Sequence, residues 1–367
     1  MHVKIAAVRA SAHRIPTVLP IVGTPAGGSV RVVCEVETED GLVGVGMTAR
    51  FLPLGVVAVI EKHLAPAVMG LDPRDLEAIH ARLQALTSER GQTLGVNTAA
   101  VSALDLALWD LIGKAHGRTV AQLLGGRADH AECYVTFGFG AFDRDQLVEV
   151  ARGLAAEQGH TGFKMLVGVA PNIGEDAARV RHVRDALGDD AVLAVDANES
   201  LSIDQATRLA RLIEDCDIAW FEDPVWRNDP RDMARLRRAT SIPLAAGQMD
   251  GHSSRFRQFI EGDAIDIFLP NSLFNGGMTE TRRVAALAQI YDKPLSDAGG
   301  GGIYCLHHVA GFRNGTLAET HLGVEQVERA MFRAAPEPSG GRLAVPPGPG
   351  FGVELDRDVL KDTLITD

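Results

Sequence analysis

Asp196 and Glu222 are the residues of this chain whose type and setting most directly call for chemistry. Each closes a short apolar run, Val192-Leu193-Ala194-Val195-Asp196 and Ala219-Trp220-Phe221-Glu222. Adjacent strands of a parallel sheet lie about 4.8 Å apart, so acids at equivalent strand ends converge on one cavity. Two carboxylates there are costly unless a cation binds or one keeps its proton. A hard divalent ion with oxygen ligands, Mg2+ by default, resolves the conflict. Either acid alone could equally cap a following helix, a reading that weakens for both together. Lys164 lies in the preceding run, Gly162-Phe163-Lys164-Met165-Leu166. Desolvation and a nearby cation would both lower its pKa, toward the range where a neutral amine acts as a base. The competing readings are a lysine that reaches solvent or one that pairs with Asp196.

The elements that must position these residues follow from the pattern around them. From about Glu132 onward, short apolar strands alternate with amphipathic helices. Polar residues close successive strands at 164, 196, 222, 248, 271, 297 and 319, steps of 22 to 32 residues. A strand–helix unit needs about that length, and eight such strands close a (β/α) barrel. Apolar strand bodies with one polar residue at the carboxyl end suit a buried parallel sheet with an active mouth. Upstream, Val3 to Arg14, Val30 to Glu37 and Leu42 to Gly46 read as an antiparallel meander. Pro16 to Gly28 is a Pro/Gly-rich loop, and Asn97 to Lys114 has helical spacing behind an Asn97 or Thr98 cap. The expected organisation is an α+β N-terminal capping domain over 1–127, a (β/α) barrel over 128–325, and a Pro/Gly-rich segment over 326–367 that returns to the capping domain.

Composition narrows the partners. The chain has 367 residues, a formal net charge of −12 and 46% hydrophobic residues. That acidity argues against nucleic acid or an anionic membrane as the main partner. No run approaches the roughly 20 apolar residues that cross a bilayer, and no signal peptide is expected. Cys34, Cys133, Cys216 and Cys305 are far apart and sit mostly in apolar runs, as reduced thiols of a cytoplasmic protein would.

The order of strand-end lysine, Asp-x-Asn, Trp-Phe-Glu-Asp-Pro and Pro-x-x-x-Gly resembles the mandelate racemase/muconate lactonizing branch of the enolase superfamily. So do Ala107-Leu108-Trp109-Asp110-Leu111-Ile112-Gly113-Lys114, Asn275-Gly276-Gly277-Met278-Thr279-Glu280 and Pro349-Gly350-Phe351-Gly352-Val353. The resemblance runs from the first strand to the last. It implies a capping domain whose loops near 15–29 and 47–55 face the substrate, a modified barrel, and Mg2+ chelated with a substrate carboxylate. It also implies a small carboxylate substrate and a homo-oligomer. Carried over residue by residue, Asp196, Glu222 and Gln248 stand at the metal-ligand positions. Lys164 is the first lysine of a Lys-x-Lys pair, Glu319 the strand-eight glutamate, and Asn198 a polar residue beside the metal. Asn271 at the end of strand six and Arg50 from the capping domain are the further expected substrate contacts.

The chain departs from the pattern at four places. Leu166 replaces the second lysine, and Gln248 replaces the third metal carboxylate, with Asp250 two residues on as a substitute. Asn271 replaces the aspartate of a His–Asp dyad, and Ala298 falls where its histidine belongs, with Asp297 beside it. The run Gly299 to Gly302 reads first as a lid hinge or as room for a bulky substrate; it also offers backbone N–H groups able to hold an anion. With one ordinary base left, the expected reaction is Mg2+-dependent removal of the proton next to a carboxylate and loss of water from a sugar acid or other hydroxy acid. Lys164 acts as base, with Asp297 or the metal assisting departure of the hydroxyl. The alternatives are a cycloisomerase or epimerase with a non-standard second base, and a catalytically weak relative that binds an acid metabolite.

Overall fold

Three antiparallel strands open the chain in the computed structural model, which describes residues 3–19, 28–88 and 94–366. The remainder of the Pro16 to Gly28 loop, residues 20–27, lies outside the described residues. β1 (Ile5–Ile15) pairs with β2 (Ser29–Thr38), and β2 with β3 (Val43–Ala49). The helix Val96–His116 lies across this sheet and buries Ala103, Leu104, Ala107, Leu108 and Leu111 against Val32, Cys34 and Val36. The approach is so close that a Cβ at Gly44 or Gly46 would lie 2.1 Å from Ala107 O or 2.0 Å from Ala103 O. Glycine is the only residue that fits there. The helix begins at Val96 behind Gly95, with no side-chain cap; Asn97 instead donates to Thr87 O at 3.1 Å. It is the one helix among the described residues long and apolar enough to cross a membrane, contrary to expectation, and 89% of that apolar window is buried inside the protein.

Seven parallel strands form the second module in the order β10-β4-β5-β6-β7-β8-β9. They are β4 (His130–Phe137), β5 (Gly162–Leu166), β6 (Val192–Asp196), β7 (Ile218–Glu222), β8 (Leu244–Ala246), β9 (Ile267–Phe268) and β10 (Leu317–His321). Residues 294–297 close the ring between β9 and β10: Ser296 N donates to Phe268 O and Asp297 N to Leu317 O, both at 2.9 Å. The expected strands are all present, and the architecture is the modified (β/α) barrel with an α+β cap. The tail crosses back to the N-terminal sheet, where Ile365 N donates to Ala12 O at 2.8 Å. Asp110 joins three segments. It accepts from Val45 N and Phe351 N at 2.8 and 2.9 Å and pairs with Lys114 at 2.6 Å.

A buried charge network docks cap to barrel. His80 lies 3.3 Å from Asp105 and 3.6 Å from Glu280, and Arg283 bonds Glu280 at 2.7 Å. Burial alone would lower the His80 pKa, but its hydrogen bonds and attraction to the two acids win and push it up to about 9. A group raised on folding stabilises the fold fully below its unfolded pKa of about 6.5, and loses that contribution as pH rises through its folded value. Urea titrations are expected to give a protein less stable at pH 9.5 than at pH 6 by up to about 3 kcal/mol from this site. In His80→Gln that difference should shrink; an unchanged difference would locate the pH dependence elsewhere.

Candidate active site

The carboxyl ends of the barrel strands bring the expected residues together. Lys164 Nζ sits 2.6 Å from Glu222, 3.1 Å from Glu319 and 3.3 Å from Asp196, with its ammonium over the Tyr134 ring. Phe163 and Met165 point outward into the shell of helices, which leaves Lys164 facing the barrel interior. Leu166 pairs with Asp196 along the β5–β6 ladder, on the same side as Lys164. Glu222 also accepts from Trp220 Nε1 at 3.1 Å, and Glu319 from Thr136 Oγ1 and the Gly300 N–H. All of these side chains are buried except Leu166, which is half-buried.

The lysine titrates in the direction opposite to the expected one. Desolvation lowers its pKa, but attraction to Glu222, Glu319 and Asp196 outweighs it and raises the value well above the ordinary lysine range. Lys164 is an ammonium here. The expectation counted a metal's repulsion and missed that barrel closure brings Glu319 within reach as a further anion.

One lysine does not balance this site. Asp223, unremarked in the sequence, has its carboxylate within 4.8 Å of those of Asp196 and Glu222. It lies just past the strand with φ 40°, a turn that brings it round to the side of its neighbour. One oxygen accepts from Asn228 at 2.8 Å and the other is buried with no partner. Burial pushes Glu222 and Asp223 well above the usual carboxylate range; neighbouring acids add to the effect, while Lys164 opposes it at Glu222. Gln248 Oε1 is also buried and unpartnered. Excess carboxylate charge with orphaned oxygens fits a hard divalent cation. Asp196, Glu222 and Asp223 would hold it, with the Gln248 carbonyl as a neutral ligand. Asp250 is instead engaged by Arg255 at 2.7 Å. Gln248→Glu adds the missing charge, and isothermal titration is expected to show Mg2+ bound about tenfold tighter or more than in the wild type. Equal affinities would mean that residue 248 is not a ligand.

The remaining expected residues divide. Asn198 donates its backbone N–H to Asp196 at 2.8 Å, and its side chain faces Gln248 at 3.5 Å, so it positions the acid cluster. Two expected residues make contacts within the protein. The Asn271 side chain donates to Ala298 O at 2.7 Å and accepts from Leu273 N at 2.9 Å, which fastens adjacent strand ends and leaves its second amide N–H uncommitted among the described residues. The Asp297 carboxylate accepts from Glu319 N at 3.3 Å and lies buried with Cys305 and His308. Ala298, one residue on, takes the interior place, among Tyr134, Trp220 and Leu269. The glycine run does hold an anion through a backbone N–H, but that anion is the protein's own Glu319.

A cavity of about 470 Å3 is lined by residues of both cap and barrel, among them Gly300, whose N–H is bonded to Glu319. Gly299 and Gly300 form its floor, and Arg31, Arg50, Phe139, Phe274 and His321 line its walls. Arg50 is where the sequence reading placed it. Arg31 and His321 were missed: an arginine in an alternating strand reads as solvent-facing, and His321 follows Glu319 with nothing in the sequence to distinguish it.

Comparison with known proteins agrees with this geometry. Residues 2–125 match the model of the mandelate racemase/muconate lactonizing enzyme N-terminal domain, and residues 146–359 the enolase C-terminal domain-like model. The chain belongs to the mandelate racemase/muconate lactonizing enzyme family of the enolase superfamily. It is 29% identical over 337 residues to an arabinonate dehydratase of Saccharolobus solfataricus, covering 90% of each chain. It is 30% identical to a D-galactarolactone cycloisomerase of Agrobacterium fabrum, covering 99% of this chain and all of that one. The crystal structure of a racemase from Streptomyces coelicolor with bound magnesium superposes with a TM-score of 0.89 at 28% identity, covering 98% of this chain and all of the other.

Proposed function

We propose that this protein is a Mg2+-dependent lyase that removes the proton next to the carboxylate of an acid sugar and expels the neighbouring hydroxyl as water. The observation that carries the reading is Lys164 Nζ within 3.3 Å of three strand-end carboxylates, beside a group of acids too charged for one lysine. Asp196, Glu222 and Asp223 would hold Mg2+, which would supply positive charge to stabilise the negative charge that develops on the substrate carboxylate and would offset the acids that keep Lys164 protonated. Lys164 then takes the α-proton at Nζ and returns it to the β-hydroxyl on the same face, which leaves as water; the enol so formed becomes the 2-keto acid. Glu319, fixed by Thr136 and Gly300, holds the Lys164 ammonium in place between the two transfers. The dehydratase relative supports this reaction class.

A second reading has its own support. Among the described residues no carboxylic acid lines the cavity, so dehydration relies on the Lys164 ammonium to protonate the departing hydroxyl, whereas a lactone opened by elimination leaves as a carboxylate that needs no proton. The full-length match to a lactone cycloisomerase is consistent with that.

The test is proton NMR in D2O with pooled acid sugars and their lactones, with and without Mg2+. Deuterium next to the carboxylate, together with a 2-keto-3-deoxy product, supports dehydration; ring opening without loss of water supports the second reading. Absence of exchange from every acid would exclude both.

A further inference from the structure

We infer that the substrate is a dianion, an acid sugar with a second anionic group at the end remote from the reacting carboxylate, received by Arg31 and Arg50. This rests on the lyase reading and specifies its substrate class. Arg31 on β2 pairs with Ala49 on β3, and Arg50 follows where the chain leaves the strand with φ 68°; both arginines line the cavity, close enough to repel each other. Arg31 is only 5% exposed. A buried guanidinium is costly unless an anion meets it. Among the described residues neither arginine makes an ion pair. Arg31 donates to Ser29 Oγ and Val30 O, and Arg50 donates to Gly299 O and lies over the Phe274 ring. Glu328 attracts Arg31 from farther off while accepting from Ile303 N at 2.8 Å. No acid lines the cavity among the described residues. Nor can residues 20–27, next to this wall in sequence, supply one: they read Pro-Ile-Val-Gly-Thr-Pro-Ala-Gly.

His321 adds a neutral donor. Its Nδ1 accepts from Gly323 N at 3.1 Å, so the ring proton is on Nε2, which has no protein partner among the described residues. Two guanidinium forks and an imidazole N–H make a receptor for a carboxylate or phosphate. The arginines of this wall therefore favour a substrate that carries a second anion besides the reacting carboxylate.

The experiment compares galactarate and glucarate with galactonate and gluconate, and with 6-phosphogluconate, in the Mg2+-loaded wild type and in Arg50→Gln. Arg50 reaches solvent, so this variant is expected to fold. A preference for dianions of about a hundredfold in kcat/KM is expected, falling about thirtyfold or more in the variant, mainly through KM. Preference for the aldarates identifies a carboxylate at the far end, and preference for 6-phosphogluconate a phosphate; either supports the site. Thermal shifts of the metal-free protein with galactarate and galactonate give a second readout, in which only the diacid stabilises and Arg50→Gln abolishes the effect. Equal handling of mono- and dianions, or an unchanged ratio in the variant, would overturn the inference while leaving the lyase reading intact. Stabilisation by the diacid without exchange of any acid would sink the lyase reading and retain the anion site. Neither stabilisation nor exchange would remove both.

Discussion

Lys164→Met is expected to lower α-proton exchange and turnover by at least about a thousandfold, because it removes the only amine that, among the described residues, pairs with the strand-end acids. A second effect separates catalysis from structure. In the wild type the ammonium offsets part of the charge of Asp196, Glu222 and Glu319. Without it those buried carboxylates repel one another unopposed, so the variant should melt lower than the wild type in EDTA. Added Mg2+ should restore more stability to the variant than to the wild type, since binding to the folded state alone shifts the equilibrium. Turnover within tenfold of wild type would end the role assigned to Lys164. A melting temperature indifferent to Mg2+ in both proteins would instead end the metal assignment.

The largest expected effect on folding is at Gly46. A Cβ there would lie 2.0 Å from Ala103 O and 2.4 Å from Ala107 N, both backbone atoms of a helix that cannot move locally. Gly46→Val therefore forces β3 off the helix Val96–His116, along with the Val45 N to Asp110 bond beside it. The expected cost exceeds about 4 kcal/mol, read as insoluble protein or a melting temperature about 10 °C or more lower. Gly153, whose Cβ would meet nothing within 4 Å, gives the control: Gly153→Ala should leave the melting temperature near the wild-type value. A soluble Gly46→Val protein with wild-type melting would show that the cap does not depend on this contact.

The barrel was legible because its signal is repetitive: apolar strand bodies, one polar residue at each end, and helices of similar length between. Asp196, Glu222, Lys164 and Glu319 were legible for the same reason, being the polar ends of regular strands. Reading failed where the strands shrink. β9 is two residues long and 294–297 pairs only through isolated contacts, so no alternation tells which side chain faces inward. Asn271 and Asp297 both fall there, and both bond within the protein. Asp223 was missed because its place depends on a backbone turn, and Arg31 because its significance is the absence of an acid around it. The direction of the Lys164 shift was unreadable from neighbours in sequence, since Glu319, one of the anions that set it, is more than 150 residues away.

The glycine floor also bears on how this chain diverged from its relatives. Gly299 has φ 74°, and a Cβ on it would lie 2.2 Å from Gln248 Oε1; Ala298 packs in the barrel interior against Tyr134 and Trp220. A histidine at 298 would have to displace those rings, and a side chain at 299 would push the Gln248 amide aside. Positions 248, 298 and 299 are therefore coupled, and a change at one is expected to call for an adjustment at another.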